Sequence, residues 1–371
     1  MTAANGTNGY HHEPRKLKFA VLGLGRMGLR HASNVAYLTP RAELVAAADA
    51  YAPSVEKAEA VLPRSTRLFT SYDDVLNDAE VEAVLIATET ASHASLTIKA
   101  IKAGKHVLLE KPISIDVEAA RPVLKAAQAR PDVKVMVGFV RRFDESYQYA
   151  YDQVTTGKIG KTYLIKSASN DTYDPTGFFV QYSKASGGIF VDAGIHDIDI
   201  ARWMLDVDNP KSLPNVKKQV TSVYASGNIV RHPALAESGD VDSALAIINF
   251  ENGTTCNFHV SRTSMHGHDI YCEIYGTEAK LHVNPLPSLN KVKILDGYGV
   301  RNETTPSFLE RFKEAFANEV NIFTDTILDG KAVPVSVEDA FQASQIAVAL
   351  THSFRTQRPV FFDDEGQPIL E

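Results

Sequence analysis

The feature that most constrains the fold is an apolar run that begins at Lys18 and ends in regularly spaced glycines. The segment Phe19–Leu22 is typical of a buried parallel strand, and the residues after it follow the pattern Gly-x-Gly-x-x-Gly. In that pattern Gly23 makes a tight turn, Gly25 lets a pyrophosphate approach the bare backbone, and Gly28 lets the next helix pack closely on the strand. The sequence therefore predicts a strand, a phosphate-binding turn and a helix.

An acidic residue at the end of the second predicted strand supports a dinucleotide as the ligand. The helix Met27–Leu38 would direct the unpaired N–H groups and the positive dipole end of its first turn at a phosphate. The next strand, Glu43–Ala48, ends in Asp49, at about the spacing typical of the acid that binds the adenosine ribose. A carboxylate accepts hydrogen bonds from ribose hydroxyls and repels a 2′-phosphate, so we expect NAD as the cofactor rather than NADP. An ordinary glycine-rich turn with a solvated aspartate is the alternative.

Length and charge limit the class of protein. A chain of 371 residues exceeds what one hydrophobic core usually serves, which predicts two domains. The net charge of -7, without a basic cluster, argues against a nucleic-acid partner. The sequence has neither an apolar run long enough to span a bilayer nor the apolar core of a signal peptide, so we expect no membrane partner and a cytoplasmic location. Cys256 and Cys272 fit no metal spacing, which favours reduced core thiols and no metal site.

The pattern of apolar residues changes along the chain. Residues 1–16 show no periodicity and predict a disordered leader. Across residues 17–140, strands alternate with amphipathic helices, which predicts an α/β fold with an N-terminal Rossmann domain, a doubly wound parallel sheet. Across residues 141–371, strand-like segments are joined by short turns, which predicts a C-terminal α+β domain with a large, mostly antiparallel open sheet. Two helices, Phe308–Leu328 and Val337–Thr356, are expected to close the chain.

Ligands of a doubly wound sheet bind at the carboxyl ends of its strands, and one predicted strand ends in a lysine. In Glu110-Lys111-Pro112, an apolar strand leads directly into Lys111, whose backbone the following proline fixes. A cation there would face the nicotinamide end of the cofactor, where an alcohol oxygen acquires negative charge during oxidation. A surface lysine in a turn is equally compatible with the spacing alone.

A second candidate for chemistry lies in the segment Gly187–Trp203. If Asp192 begins a helix, then Asp192, His196 and Asp199 fall at i, i+4 and i+7 on one face. A carboxylate and an imidazole one turn apart could form a general base with its orienting partner. The alternative is that Asp192 caps the helix and His196 is a core histidine.

Four motifs in this order resemble the Gfo/Idh/MocA oxidoreductase family, along nearly the whole chain from Phe19 to Val360. They are the glycine turn with Asp49, Glu110-Lys111-Pro112, Gly138-Phe-Val-Arg-Arg-Phe-Asp144, and Gly187-Gly188 through Asp192, His196 and Asp199. Within that family, the segments Gly267–Gly276 and Phe308–Phe312 are most similar to those of inositol 2-dehydrogenases.

The resemblance implies site residues of three kinds. The catalytic positions would be Lys111, Asp192 and His196. The cofactor would contact Gly23, Gly25, Arg26, Met27, Gly28, Asp49, Thr88, His93, Glu110 and Lys111. The substrate hydroxyls would contact Arg141, Asn170, Asp192, His196 and His268. The chain departs from the family at Thr88-Glu89-Thr90, where Thr-Pro-Asn is usual, and at His268, where inositol-type members have tyrosine, so the substrate stays open.

The resemblance also implies a function and an assembly. We expect NAD-dependent oxidation of a secondary hydroxyl on a cyclitol such as myo-inositol, or on a sugar, with His196 as base and Lys111 stabilising the alkoxide. A sugar oxidoreductase acting on aldoses or ketoses is one alternative. A non-catalytic regulator that senses a dinucleotide or sugar is the other, although it would have no need of a base. In similar proteins subunits pair across the second sheet, so a homo-oligomer, tetramer or dimer, is expected.

Overall fold

In the computed structural model, residues 15–207 and 218–370 are described, so most of the predicted leader, residues 1–14, lies outside the described residues. Between Leu17 and Gly138 the chain alternates strands and helices. The strands are β1 (Leu17–Leu22), β2 (Ala42–Ala48), β3 (Arg67–Phe69), β4 (Ala83–Ile86), β5 (His106–Glu110) and β6 (Val135–Gly138). The helices are α1 (Arg26–Leu38), α2 (Ala52–Glu59), α3 (Tyr72–Asn77), α4 (Thr90–Lys102) and α5 (Val117–Ala129).

The six strands form one parallel sheet in the order β3-β2-β1-β4-β5-β6. The order changes direction between β1 and β4, and a doubly wound sheet opens its binding crevice at that point, at the carboxyl ends of the strands. The central strands are mostly apolar, as expected for the buried strands of a parallel sheet, and β4 is apolar and wholly buried. The predicted Rossmann sheet is confirmed.

The second half of the chain builds a mixed sheet. Its strands are β7 (Thr162–Thr172), β8 (Val220–Asn228), β9 (Ser243–Phe250), β10 (Thr255–Ser264), β11 (Asp269–Gly276), β12 (Lys280–Val283) and, after a separate hairpin of β13 (Ile294–Asp296) and β14 (Gly299–Arg301), β15 (Val360–Phe361). In the described part of the chain, the sheet order is β12-β11-β7-β10-β9-β8-β15. Strands β7 and β10 run parallel, whereas the other neighbouring strands run antiparallel. The prediction of a mostly antiparallel sheet is therefore confirmed.

The helices of the second half are α6 (Glu145–Thr155), α7 (Phe178–Ser186), α8 (Ile195–Met204), α9 (Phe308–Arg311), α10 (Lys313–Leu328) and α11 (Val337–Thr356). The sequence predicted α11 with its observed bounds, but it predicted α9 and α10 as one helix. The helix is interrupted at Phe312, whose backbone leaves the helical region while its ring is buried with the Arg311 guanidinium 4.6 Å from its centre. Helix α7 was not predicted.

Two adjacent arginines after β6 fix α8 against the first sheet. Arg141 donates to the Asp197 carboxylate at 3.1 Å, and Arg142 donates to the Asp199 carboxylate at 2.7 Å. All four side chains are at most 5% exposed. Leaving one member of a buried ion pair without its partner is strongly destabilising, so these pairs hold α8 in a defined orientation at the end of β6.

Cys256 and Cys272 are buried free thiols, as predicted, and burial raises the pKa of each. None of the helices within residues 15–207 and 218–370 combines the length and the apolar character needed to cross a bilayer.

Candidate active site

The glycine turn after β1 has the shape that the sequence predicted. Gly23 has φ +90°, and a Cβ on it would lie 2.5 Å from the Ala87 carbonyl oxygen. A Cβ on Gly28 would lie 1.8 Å from the Gly23 carbonyl oxygen. A Cβ on Gly25, in contrast, would meet no heavy atom of the described chain within 4 Å. The first and third glycines are therefore required by packing, whereas the second leaves open space beside the backbone, which fits a pyrophosphate.

Asp49 lies beside this turn at the end of β2. One carboxylate oxygen accepts a hydrogen bond from the backbone N–H of Leu24 at 2.6 Å, and the other accepts from Tyr51 N–H at 2.8 Å. The side chain is partly exposed, so its remaining acceptor positions can reach a ligand. The acid predicted to bind the ribose thus lies against the predicted phosphate turn.

The other predicted cofactor residues surround the same strand ends. Arg26 and Met27 begin α1, and the Arg26 guanidinium lies 5.4 Å from the centre of the Phe308 ring. Thr88 follows β4, and its hydroxyl is hydrogen-bonded to that of Ser92 at 2.7 Å.

His93 holds two of these segments together. The imidazole is buried, with Nδ1 2.8 Å from the Pro112 carbonyl oxygen and Nε2 3.1 Å from that of Thr88. Burial lowers the pKa of His93. The ring therefore lies between the segment after β4 and the segment after β5, and its single N–H can donate to one of the two carbonyl oxygens.

Lys111 connects the two domains. Its ammonium group donates to the backbone carbonyl of Asp192 at 2.6 Å and to the Asp192 carboxylate at 3.2 Å. The second carboxylate oxygen of Asp192 accepts from Arg262 of β10. Burial opposes ionisation of Asp192, but the charges of Lys111 and Arg262 hold the pKa of that carboxyl well below its usual range. Asp192 is thus an anion between two cations from different elements.

The local backbone at Asp192 differs from the predicted α-helix. A π-helical turn, Phe190–Gly194, precedes α8, so Asp192 lies inside a wide turn and does not begin the helix. Asp199, further along α8, is buried and accepts a hydrogen bond from Arg142.

His196 lies one turn after Asp192, on α8, and its ring packs edge-on against Phe139 at the end of β6, with ring centres 6.1 Å apart. Burial, with the charges of Lys111 and Arg141, lowers the pKa of His196 well below its usual value. The imidazole is therefore neutral at neutral pH. Its Nδ1 is buried and has no hydrogen-bond partner among the described residues, so Asp192 does not orient the ring as the sequence suggested.

Arg141, which was predicted to contact the substrate, bonds to other side chains in the core. It is 3% exposed, and besides Asp197 it donates to the Ser169 hydroxyl at 2.7 Å. Asn170 is partly exposed and accepts from the Ser261 hydroxyl at 2.8 Å. His268 is 2% exposed. Arg141 therefore anchors α8, and its charge acts on His196.

Two further charged residues, Asp171 and Arg262, lie at the site and were not predicted from the sequence. Arg262 Nη1 lies 3.7 Å from Asp171 Oδ2, and His268 Nε2 lies 3.4 Å from Asp171 Oδ1. Burial opposes ionisation of Asp171, but His268 and Arg262 lower its pKa, so it is an anion like Asp192. The signal that could have found them is the parallel pairing of β7 with β10, which no local pattern in the sequence reveals.

Comparisons with known proteins agree with this architecture. The family model of the Gfo/Idh/MocA oxidoreductases for the NAD-binding Rossmann fold matches residues 17–139, and the model for their C-terminal alpha/beta domain matches residues 152–362. The chain is 36% identical over 350 residues to the scyllo-inositol 2-dehydrogenase (NAD(+)) of Bacillus subtilis, which covers 94% of this chain and 97% of that protein.

Two solved structures share the fold along almost their full length. The scyllo-inositol dehydrogenase of Lactobacillus casei, crystallised with NAD(H) and scyllo-inositol, is 32% identical, with a TM-score of 0.86 and coverage of 94% of this chain and 99% of that one. The myo-inositol 2-dehydrogenase of Lactobacillus plantarum is 30% identical, with a TM-score of 0.87 and coverage of 94% and 100%.

Proposed function

The chain belongs to the Gfo/Idh/MocA oxidoreductase family, and we propose that it oxidises a secondary hydroxyl of an inositol, or of a closely related cyclitol, with NAD. It is an NAD-dependent oxidoreductase that acts on CH–OH groups. The observation that carries the proposal is the contact between Lys111 of the first domain and Asp192 of the second. Asp192 lies one helical turn before His196, and Lys111 follows the carboxyl end of β5, at the same edge of the sheet as the glycine turn.

The residues around the turn fit the cofactor. Gly23 and Gly28 provide the close packing of the turn, Gly25 leaves its backbone bare for the pyrophosphate, and Asp49 offers acceptors to the ribose hydroxyls. Bound NAD supplies a nicotinamide carbon that accepts the hydride from the carbinol carbon.

His196 would act on the proton of the substrate hydroxyl group, and Lys111 would act on its oxygen. The neutral imidazole of His196 takes the hydroxyl proton as the C–H bond breaks, which is general-base catalysis. An ammonium group carries three N–H donors, and Asp192 accepts from two of them. The third can donate to the reacting oxygen and stabilise its developing negative charge.

The polar residues beside the catalytic set favour a polyol. The Arg262 guanidinium lies between the Asp171 and Asp192 carboxylates, so that a donor is flanked by two acceptors, and His268 lies next to Asp171. A ring with several neighbouring hydroxyls can satisfy such groups, since each hydroxyl both donates and accepts. The relatives whose names include scyllo-inositol and myo-inositol support the same substrate class.

The alternatives make different predictions. A sugar oxidoreductase would use the same catalytic set but turn over aldoses or ketoses faster than inositols. A regulator would bind NAD and produce no reduced nicotinamide with any polyol. The cytoplasmic location and the homo-oligomer stay predictions; on the outer face of the second sheet, β9 exposes the apolar side chains of Leu245 and Ile247.

The cofactor preference is testable at Asp49. Asp49→Ser removes the carboxylate that accepts from ribose hydroxyls and repels a 2′-phosphate, so the preference for NAD over NADP should fall by about 10- to 100-fold. Fluorescence titration of both cofactors gives the ratio of dissociation constants. Asp74→Ser, at an exposed acid of the same domain, is the matched control and should keep the wild-type ratio. A wild-type protein that binds NADP more tightly than NAD would refute the assignment.

The pH dependence of kcat/KM tests the state of His196. A base must be unprotonated, so the rate falls as pH drops through its pKa. Because burial and the charge of Lys111 lower the pKa of His196, the acidic limb should lie below pH 6.5. The measurement is a profile of initial rates with saturating NAD and a low inositol concentration. An acidic limb above pH 6.5 that disappears in His196→Ala would contradict the neutral-base assignment.

A further inference from the structure

A buried acid outside the catalytic set lies where the two domains meet. Glu319 of α10 is 1% exposed, and neither of its side-chain oxygens has a hydrogen-bond partner within the part of the chain that the structure describes. It faces His31 of α1 and Glu110 of β5, and one ligand-type atom from each of the three side chains lies within 4.8 Å of the other two. Glu110 directly precedes Lys111, so this cluster adjoins the strand end that carries the catalytic ammonium group.

The packing around Glu319 is specific. Phe316, one turn earlier on α10, packs edge-on against His31 with ring centres 5.6 Å apart. On β6, a Cβ on Gly138 would lie 3.1 Å from Glu319 Oε1, so the glycine makes room for the carboxyl group. Gly138 pairs with Glu110 across the sheet. The carboxyl group of Glu319 therefore lies over the paired ends of β5 and β6.

The charges in this cluster exclude two ionised carboxylates. Glu110 accepts from His31 at 2.6 Å and from the backbone N–H of Lys111 at 3.2 Å; although burial opposes its ionisation, His31 lowers its pKa. Burial and then the negative charge of Glu110 raise the pKa of Glu319 well above its usual value. When two neighbouring acids are buried away from water, one can be ionised while the other keeps its proton.

A metal ion fits the cluster less well. Ligands on one tetrahedral ion, each about 2.0–2.1 Å from it, lie roughly 3.3 Å apart. His31 Nε2 and Glu110 Oε1 are 2.6 Å apart, which is the distance of a direct hydrogen bond and leaves no place for an ion between them.

We propose that Glu319 keeps its proton in the folded protein and acts as a positioning residue, whose neutral carboxyl group lets α10 pack on Glu110 and hold the strand end that aims Lys111. The ionisable side chains that face it are His31 from α1 and Glu110 from β5. The part of this proposal that concerns activity rests on the proposed function, whereas the part that concerns the proton does not.

The proton is tested by the pH dependence of unfolding, with Glu319→Gln as a neutral isostere and Glu314→Gln, at an exposed acid of the same helix, as control. An acid protonated in the folded state and ionised in the unfolded state releases a proton on unfolding, so wild-type stability falls as pH rises. Between about pH 5.5 and 7.5, the unfolding equilibrium constant of wild type relative to E319Q should grow by about tenfold per pH unit. E314Q should follow wild type.

Two results in that experiment would overturn the proposal. One is a ratio of wild type to E319Q that stays constant with pH. The other is an E319Q protein that fails to fold, since an amide should replace a neutral acid. A further result that would overturn the proposal comes from elemental analysis of purified wild type and E319Q. A stoichiometric divalent metal that is present in wild type and lost in E319Q would show that the cluster binds a metal ion.

The positioning role is tested by kcat and KM. Glu319→Ala leaves a space beneath Glu110 and should lower kcat by up to about 100-fold through misplacement of Lys111, with the affinity for NAD little changed. E319Q should restore kcat to near wild type, and a kcat in E319Q as low as in E319A would contradict a neutral role. A folded E319A protein with wild-type kcat would contradict the positioning role, and so would an E319A protein that loses NAD affinity as strongly as kcat. A protein inactive on every inositol would refute the proposed function and leave the unfolding measurement as the test of the proton.

Discussion

Replacing His196 by alanine is expected to lower kcat by about two to four orders of magnitude while NAD still binds, because the variant loses the group that takes the hydroxyl proton. The ring lies beside Phe139 and near Lys111, outside the glycine turn, so its loss leaves the phosphate and ribose contacts in place. Steady-state kinetics with an inositol, together with fluorescence titration of NAD, gives both quantities.

His259→Ala is the matched control for His196→Ala. His259 is a partly buried imidazole of the same domain, on β10, and its ring bonds to the Ser243 hydroxyl at 3.1 Å. This variant should keep a kcat near that of wild type. Equal losses of kcat in the two variants would indicate a general effect on folding, and a wild-type kcat in His196→Ala would refute the assignment of the base.

Lys111→Met is expected to lower kcat by about 100- to 1,000-fold, the usual loss when one charge-stabilising donor is removed from a reacting oxygen. Methionine keeps much of the aliphatic volume, and Asp192 keeps its ion pair with Arg262, so the cleft should retain its shape. The measurement is kcat for inositol oxidation, with the NAD dissociation constant determined in parallel.

The control for Lys111→Met is Lys102→Met, at an exposed lysine of α4. It removes one positive charge from the same domain without touching the cleft, so kcat and NAD affinity should stay at wild-type values. A Lys111→Met protein with undiminished kcat would show that Lys111 serves only as the structural partner of Asp192.

The first domain could be predicted from the sequence because its signals are local. An apolar run, a glycine turn and an acid one strand later each indicate the backbone geometry that they require, and β1 contains the predicted strand Phe19–Leu22. The position of Lys111 directly after β5 could be predicted as well, but the spacing alone did not distinguish a residue of the cleft from a surface lysine.

In the second domain, contacts between distant segments of the chain cannot be predicted from local sequence patterns. Arg262 lies beside Asp171 because β10 runs parallel to β7, and these strands are far apart in the chain, since the paired Ser261 and Asn170 are 91 residues apart. Arg141 was predicted to contact substrate, yet it pairs with Asp197 inside the core. A single sequence shows how many charges there are but does not show which of them become partners.

Inositol oxidation is tested directly by the formation of reduced nicotinamide, followed by its absorbance, when the purified protein is mixed with NAD and a panel of myo-inositol, scyllo-inositol, aldoses and ketoses. We expect the absorbance to rise with at least one inositol, at a higher kcat/KM than with any sugar, and we expect Lys111→Met and His196→Ala each to suppress the rise. No rise with any member of the panel, despite NAD binding, would contradict it and favour a regulator. A rise with sugars alone would contradict the inositol assignment.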